Sequence, residues 1–146
     1  MDKEKIKPFF TGTYNGELKG YGAVDLPKKF QSVMGKAGIE QLFLEIPESF
    51  DDWEEGILVS SAEALRNEIQ SEETPLRRKA EILKLASSPQ SVYFGRMNIP
   101  KDLREKAGLG KNITFTAMGE RFVIEDKAKA KIKNAEAEAD PQSLLK

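Results

Sequence analysis

The sequence predicts an α+β fold in which two copies of a small β-rich unit share one β core and are joined by a helical connector. Three observations support this prediction: a repeated strand motif, alternating apolar and polar residues in further short segments, and helical periodicity in the middle of the chain. Each copy spans roughly 45–60 residues, which is too few to bury a stable core alone. We therefore expect the two copies to complete one core together.

The repeat is carried by a motif that reads aromatic-Gly-x-apolar-(Asp or Asn)-apolar-Pro-Lys. It occurs at Tyr21–Lys28 and again at Phe94–Lys101, an offset of 73 residues. Two further matches follow in the same order, at offsets of 70 and 65: Lys36–Ile39 with Lys106–Leu109, and Ile57–Val59 with Phe122–Ile124. Offsets that shrink along the chain are typical of loop insertions on a shared scaffold.

Each copy is predicted to contain a strand that ends at the motif proline, a short helix and two further strands. The proline requires an extended residue before it, and the helices begin at Lys28 and Lys101. The second helix is expected to end at Gly108, and Asn15-Gly16 predicts a tight turn before the first motif strand. The further strands are predicted at Gln41–Ile46 and Gly56–Ser60 in the first copy, and at Asn112–Met118 and Arg121–Glu125 in the second.

Two helices are predicted between the copies. The first covers Ala62–Ser71, and the second starts after Thr74-Pro75, with Thr74 as N-cap and Pro75 at the first helical position. The apolar face of the second helix is predicted from the spacing of Leu76, Ala80 and Leu83, with Ile82 and Ala86 on its flank.

The predicted domain limits follow from these elements. They are residues 8–61 for the first unit, 62–88 for the helical connector, 89–131 for the second unit and 132–146 for a flexible tail. Ala with Lys and then Ala with Glu predicts a frayed helix over Lys127–Asp140. No apolar run is long enough to span a membrane, and the charged segment Met1–Lys7 does not resemble a signal peptide.

Composition excludes many common catalytic designs. The chain has no Cys and no His, so thiolate chemistry, histidine-ligated zinc and the Ser-His-Asp triad are impossible. The net charge of −1 conceals an asymmetry: residues 1–75 carry 8 Lys/Arg and 15 Asp/Glu, whereas residues 76–146 carry 15 and 9. Such a division suits either binding of a polyanion by the basic half or head-to-tail contact between copies of the chain.

An acidic stretch in the first unit invites a metal or acid/base hypothesis. No calcium-loop spacing is present, so a solvated or intersubunit loop is the preferred interpretation over a carboxylate-based hydrolase. We expect no cofactor, no metal and no small-molecule substrate. The stretch consists of Glu45, Glu48, Asp51, Asp52, Glu54 and Glu55, and the nearby aromatic residues Phe43, Phe50 and Trp53 are expected in a core or interface.

Together the motifs resemble the MraZ family over about residues 9–127. The residues that carry the resemblance are Gly12-Thr13, the motif at 22–30, Leu76-Arg77-Arg78, Gly95–Pro100, Leu103-Arg104, Ala107–Leu109 and Phe122–Asp126. The resemblance implies two AbrB-like swapped-hairpin domains that pair within one chain as an intrachain swapped-hairpin β-barrel, and subunits that assemble into a ring. It further implies a bacterial, cytoplasmic, nucleoid-associated, sequence-specific DNA-binding transcriptional regulator that acts on repeats upstream of a division and cell-wall gene cluster.

The expected DNA contacts are the cations on or beside the motif strands, since DNA binding requires cations that meet phosphates and arginines that can read guanine. The family motif Asp-x-x-Gly-Arg is altered here: Lys19 and Ala23 replace its Asp and Arg in the first copy, and Val92 replaces its Asp in the second. These changes keep a second hypothesis open, an oligomeric protein-interaction module with weakened or lost DNA binding. The candidate DNA-binding residues are Lys19, Lys28, Lys29, Arg96, Lys101 and Arg104.

Other cations are assigned different roles. Arg77 and Arg78, on the connector helix, are expected in a subunit contact or on a solvated face. The alternating Lys127, Lys129, Lys131 and Lys133 are expected to form a solvated tail, with a nonspecific DNA arm as the alternative.

Overall fold

The computed structural model describes residues 7–51, 53 and 56–130 of the 146-residue chain. The strands along these residues are β1 (Thr13–Glu17), β2 (Ala23–Asp25), β3 (Gln41–Glu45), β4 (Ile57–Ser60), β5 (Gln90–Ser91), β6 (Arg96–Asn98), β7 (Asn112–Ala117) and β8 (Arg121–Asp126). The helices are α1 (Lys28–Ala37), α2 (Ala62–Gln70), α3 (Leu76–Leu85) and α4 (Lys101–Lys106), and residues 127–130 form a further helical turn. None of the helices in these ranges is long and apolar enough to cross a membrane.

The two copies are interleaved in the sheets. A six-stranded sheet has the order β1-β7-β8-β4-β3-β5, and a separate two-stranded sheet pairs β2 with β6. All pairings are antiparallel, and four of them, β1 with β7, β2 with β6, β3 with β5 and β4 with β8, join the first copy to the second. The α+β class is therefore confirmed. Over the described residues β1 and β5 are free edges, so the ladder of strand pairs is open and not closed into a barrel.

Both copies have the same order of elements, as the repeat predicts. The order β2-α1-β3-β4 in the first copy recurs as β6-α4-β7-β8 in the second. The copies differ in the length of the helix, which has 10 residues in α1 and 6 in α4. Neither copy forms its sheet without strands from the other.

The main core is a cluster of aromatic rings contributed by both copies. Phe30 of α1 is fully buried, and its ring centroid lies 5.0 Å from that of Phe10 and 4.8 Å from that of Phe122. Phe115 and Tyr14 complete the contacts around Phe30 at 6.3 and 5.4 Å. Helix α1 is thus anchored by one ring that contacts strands β1, β7 and β8.

A second, smaller core lies between β3 and the connector helices. Alternate residues of β3 face opposite sides, so Leu42 and Leu44 join the main core while Phe43 packs with Leu65 of α2 and Ile82 of α3. β3 is consequently buried on both of its faces. This arrangement fixes the connector against the sheet.

The buried face of α3 differs from the sequence prediction. Leu76 and Leu83, predicted on the apolar face, are 83% and 65% exposed, whereas Arg78 and Ile82 are 2% and 3% exposed. The prediction for Arg78, a subunit contact or solvated face, was wrong. The apolar spacing was misleading because Arg78 occupies the helix position that faces β3, and its charge is paired with carboxylates inside the chain.

Arg78 is the centre of a buried ionic network. Its guanidinium makes two hydrogen bonds to Glu45, of 2.5 and 2.8 Å, and two to Glu68, of 2.8 and 3.0 Å, and it also bonds Glu81. Arg121 of β8 donates a 2.6 Å bond to the same Glu68. The network therefore ties β3, both connector helices and the last strand of the second copy.

Two carboxylates of this network, Glu68 and Glu81, have a pKa below the usual value. Burial acts to raise the pKa of Glu68, but hydrogen bonds from Arg78 and Arg121 outweigh it, so the pKa lies below the usual 4.5. Burial also acts to raise the pKa of Glu81, and hydrogen bonds from Ser49 and Arg78 again lower it below 4.5. Both groups are ionised at neutral pH.

Two local predictions were wrong: the tight turn at Asn15-Gly16 and the N-cap of α3 at Thr74. Asn15 and Gly16 lie within β1, and a Cβ at Gly16 would lie 2.6 Å from the ring of Phe115, so this glycine makes room for an aromatic ring. Thr74 does not cap α3; its hydroxyl donates a 2.6 Å bond to the carbonyl of Glu68, which closes the end of α2.

The acidic stretch is not one continuous solvated loop. Glu45 is buried with Arg78, while Asp51 is exposed at 3.7 Å from the Arg77 guanidinium, which is also exposed. Asp52, Glu54 and Glu55 lie outside the described residues. Among the described residues no cluster of three or more Asp or Glu side chains is arranged to hold a metal ion. Phe43 is buried in the second core, as expected. Phe50 and Trp53 are half-buried, and the ring of Phe50 lies 4.6 Å from the Arg78 guanidinium and 6.2 Å from the ring of Trp53.

Candidate nucleic-acid interface

The two motif strands form a two-stranded antiparallel sheet that both copies build together. Ala23, Val24 and Asp25 of β2 lie opposite Asn98, Met97 and Arg96 of β6. We call this pair, with its flanking residues 19–29 and 92–104, the basic ribbon. These segments carry six Lys/Arg and two Asp/Glu in a chain whose net charge is −1.

The ribbon has an approximate two-fold symmetry that follows from the repeat. The amide of Leu26 donates to the carbonyl of Gly95 at 2.8 Å, and the equivalent amide of Ile99 donates to Gly22 at 2.8 Å. Valine and methionine at its centre, Val24 and Met97, are buried, which holds the ribbon on the main core. Of its four other strand positions, Ala23 is buried, whereas Asp25, Arg96 and Asn98 are exposed.

Gln31 and Arg104 occupy equivalent positions on the two motif helices and perform the same task. The Gln31 amide donates a 2.7 Å bond to the carbonyl of Leu26, and the Arg104 Nε donates a 3.0 Å bond to the carbonyl of Ile99. Each side chain thereby fixes its helix to the residue before the motif proline. A Cβ at Gly22 would lie 2.9 Å from the Arg104 Nε, so the glycine allows this close approach.

Lys19 and Arg96 meet at one carboxylate, that of Asp25. The Lys19 ammonium lies 2.9 Å from Oδ2 of Asp25, and the Arg96 Nε lies 2.9 Å from Oδ1. Hydrogen bonds from Arg96 and then Lys19 hold the pKa of Asp25 below its usual 3.8. The pair Asp25–Arg96 joins the two copies, so a carboxylate of the first copy supports the arginine of the second.

The symmetry-related end of the ribbon lacks this charge cluster. There Ala23 lies opposite Asn98, at the positions equivalent to Arg96 and Asp25. The two ends of the ribbon are therefore alike in backbone and different in charge, and only one end presents an arginine from the strand itself.

The remaining candidate cations flank the ribbon at both ends. Lys28 and Lys29 are exposed in the first turn of α1, beyond the Asp25–Arg96 end. Lys101 is exposed at the start of α4, beyond the other end, and its ammonium lies 3.9 Å from Glu105. Arg104 is half-buried and bonded as described, so it has less freedom to reach a ligand than the other five.

Of the basic tail, only the beginning is described. Lys127 and Lys129 lie in the helical turn at 127–130, and Lys131 and Lys133 fall outside the described residues, as does the predicted tail 132–146.

Sequence reasoning missed Asp25 and the exposed aromatic residues of the ribbon. Pairing the two matched motifs antiparallel about their central residues places Asp25 opposite Arg96, so the repeat itself contained this signal. Tyr21 and Phe94, at equivalent positions before the motif glycine, are 90% and 104% exposed. Nothing in apolar patterning distinguishes such residues from core aromatics.

Comparison with known proteins places the chain among relatives that carry one name. The transcriptional regulator MraZ of Anaeromyxobacter dehalogenans strain 2CP-C is 30% identical over 127 residues, which cover 82% of this chain and 85% of that protein. The chain belongs to the MraZ family. The MraZ regulators of Parvibaculum lavamentivorans and Rhodospirillum rubrum are each 28% identical, over 79% and 82% of this chain and 74% and 79% of their own length. No family model matches the sequence.

The similarity to MraZ includes residues of both copies. The part of the chain outside the alignment with the Anaeromyxobacter protein amounts to 18% of its length, which is shorter than either copy. The similarity therefore extends into both copies, and the family resemblance of the sequence is confirmed.

Proposed function

We propose that this MraZ-family chain is a sequence-specific, DNA-binding transcriptional regulator that contacts double-stranded DNA through the basic ribbon. The observation that carries the proposal is the convergence of both repeats on one exposed, cation-rich strand pair. Two-stranded antiparallel ribbons fit the major groove of DNA, and their flanking cations can contact phosphates. The names of the relatives, all transcriptional regulators, support the same role.

Within this proposal the six candidate residues divide by task. Arg96 is the residue that can read guanine, because it projects from the strand itself and arginine makes bidentate bonds to that base. Lys19, Lys28, Lys29 and Lys101 contact phosphates, and Arg104 mainly positions its helix.

We infer that the interleaved copies form an intrachain swapped-hairpin unit within the domain limits 8–61, 62–88 and 89–131, and that subunits assemble into a ring. Pairing of β2 with β6 and of β4 with β8 across the copies supports the first inference. A ring would present several ribbons to consecutive DNA repeats, and avidity raises apparent affinity by about 10²–10⁴. The proposed site of action is the nucleoid of the cytoplasm, on repeats upstream of a division and cell-wall gene cluster.

Fluorescence anisotropy with a duplex taken from upstream of the gene tests this function. We expect tighter binding to that duplex than to a shuffled duplex of the same composition, with affinity that falls steeply as salt rises. The double variant Lys28→Ala/Arg96→Ala should weaken binding and reduce the slope of log K against log salt by about 0.9, because the one phosphate contact that it removes is that of Lys28.

The matched control removes two exposed lysines outside the ribbon, as Lys36→Ala/Lys84→Ala. It carries the same change in net charge and should bind DNA as the unmodified chain does. Absence of binding to any duplex at low salt contradicts the function, and equal losses in both double variants contradict the choice of the ribbon.

A second candidate, a protein-interaction module without DNA binding, is favoured by one specific observation. Asp25 places a negative charge between Lys19 and Arg96 on the exposed face of the ribbon. If the ribbon binds DNA, Asp25→Asn removes repulsion from phosphates and raises affinity about threefold to tenfold, an effect within the range of exposed charge interactions. If the ribbon binds a protein instead, this variant leaves DNA affinity undetectable at all salt concentrations.

A further inference from the structure

The turns that precede β2 and β6, which we call the tips of the basic ribbon, carry exposed aromatic rings. Packing within the chain does not explain this exposure. Phe94 is 104% exposed and Tyr21 is 90% exposed, and Tyr93 beside Phe94 is 71% exposed. Phe94 and Tyr21 are equivalent residues in the two copies, 73 positions apart. An isolated exposed aromatic residue is ordinary, but a symmetric pair at the two ends of one cationic surface indicates a binding role.

The turn that carries Phe94 is strained. Tyr93 and Arg96 exchange two backbone hydrogen bonds of 2.9 Å, which leaves Phe94 and Gly95 as a two-residue hairpin loop with φ of 51° and 74°. Both central residues of such a loop need positive φ, and Asn-Gly is the favoured sequence. Among the described residues Phe94 is the only non-glycine residue with positive φ. A bulky residue is thus held in a conformation that it disfavours, while its ring contributes nothing to the core.

The surroundings of the tips identify the chemistry of the partner. Arg96 follows Phe94 by two residues, and the 2.8 Å bond between Leu26 and Gly95 places the start of α1, with Lys28, beside the same turn. At the other end, Tyr21 precedes Ala23, the first residue of β2. Ala23 lies opposite Asn98, near the start of α4. A partner that matches both features has a dense negative charge and flat apolar surfaces.

Duplex DNA has this combination, since phosphates flank the grooves and base steps offer planar faces to an apolar wedge. Extended strands rise about 3.4 Å per residue, so the two tips lie at most about 20 Å apart along the ribbon, within reach of one DNA site.

We propose that Phe94 is an apolar DNA contact that inserts against a base step when DNA lies on the ribbon, with Tyr21 as its counterpart at the other end. The inference rests on the proposed function and adds a second kind of recognition to it. The cations supply attraction that depends on salt, and the rings supply contact area that does not. Flexible pyrimidine–purine steps are the sites where such a wedge meets least resistance.

The variant Phe94→Asn tests the role of the ring without endangering the fold, because Asn suits the turn better than Phe. Using the full chain and the labelled upstream duplex, we expect the Kd of this variant to rise about tenfold, as the loss of one aromatic ring stacked on a base suggests. The slope against log salt should stay unchanged, unlike that of Lys28→Ala, and the melting temperature should rise by a few degrees. Tyr21→Ala should weaken binding in the same way.

Leu83→Ala is the matched control, because Leu83 is also an exposed apolar residue, 65% exposed, but lies on α3. It should leave DNA affinity unchanged. An unchanged Kd for Phe94→Asn, while the unmodified chain binds, overturns this inference and leaves the proposed function intact. A lower assembly mass for Phe94→Asn in light scattering also overturns it, because the ring would then contact another copy of the chain. Failure of the unmodified chain to bind any duplex overturns both.

Discussion

At the scale of single residues, Arg78 has the largest structural role among the charged side chains described here. It forms ion pairs with three carboxylates, and its guanidinium lies over the ring of Phe50. A buried ionic network is not by itself a large source of stability, because desolvation offsets much of the attraction. Breaking it, however, leaves the buried Glu45 without its counter-ion.

We predict that Arg78→Ala lowers the free energy of unfolding by about 3–5 kcal/mol, because Glu45 would remain buried without its counter-ion. Urea titration followed by circular dichroism measures the change. The neighbouring Arg77→Ala is the control: Arg77 is exposed and should change stability by less than about 0.5 kcal/mol. Equal losses of unfolding free energy in the two variants contradict the conclusion that Arg78 is the centre of a buried ionic network.

The lowered pKa values of Glu68 and Glu81 predict loss of stability in acid. Both carboxyls have a lower pKa in the folded chain than their usual 4.5, so the unfolded chain binds protons first as pH falls. Their contribution is complete at neutral pH and decreases below about pH 4.5. Melting temperatures measured from pH 7 to pH 3 should fall on the acid side, and in Arg78→Ala this fall should be smaller. A constant melting temperature across that range contradicts the prediction.

At the scale of elements, α1 is secured by one aromatic side chain. We predict that Phe30→Ala lowers the free energy of unfolding by about 3–5 kcal/mol, because the ring is fully buried between strands of both copies. Phe9→Ala is the comparison, since Phe9 is 66% exposed and its truncation should have little effect. Denaturant unfolding of both variants gives the difference, and similar losses would show that the interleaved core is not the main source of stability.

The elements that the sequence predicted well are those with local signals. Alternation, proline and glycine located the strands that follow the motif helices: predicted Gln41–Ile46 and Asn112–Met118 correspond to observed Gln41–Glu45 and Asn112–Ala117. The errors arose where long-range contacts decide. Gly16 lies in a strand because a distant ring packs over it, and the buried face of α3 depends on Glu45, which is 33 residues from Arg78.

The same distinction applies to the candidate interface. Residue types and the repeat placed the six candidate cations near the motif strands, and the structure describes all six in or beside the basic ribbon. The link between Asp25 and Arg96 spans 71 residues and could be found only by pairing the two copies antiparallel. The exposure of Phe94 depends on how its turn projects from the sheet, which no local pattern specifies.

At the scale of the whole molecule, the repeat produces one structure and not two. The ribbon, the six-stranded sheet and the aromatic core each contain residues of both copies, so a surface that neither copy could form alone is presented by the subunit. Approximate symmetry in the backbone is combined with asymmetry in charge, since Asp25–Arg96 at one end corresponds to Asn98–Ala23 at the other. This difference makes the two ends of the ribbon distinct in charge, so the proposed DNA contact would distinguish the two orientations of a repeat.

We propose that both copies together form the DNA-binding surface. Amide hydrogen exchange, measured by mass spectrometry with and without the upstream duplex, tests it most directly. We predict protection by DNA in two separate segments, 19–29 and 92–104, with unchanged exchange in α2 and α3. Protection confined to one of the two segments, or located in the connector helices, would contradict the claim.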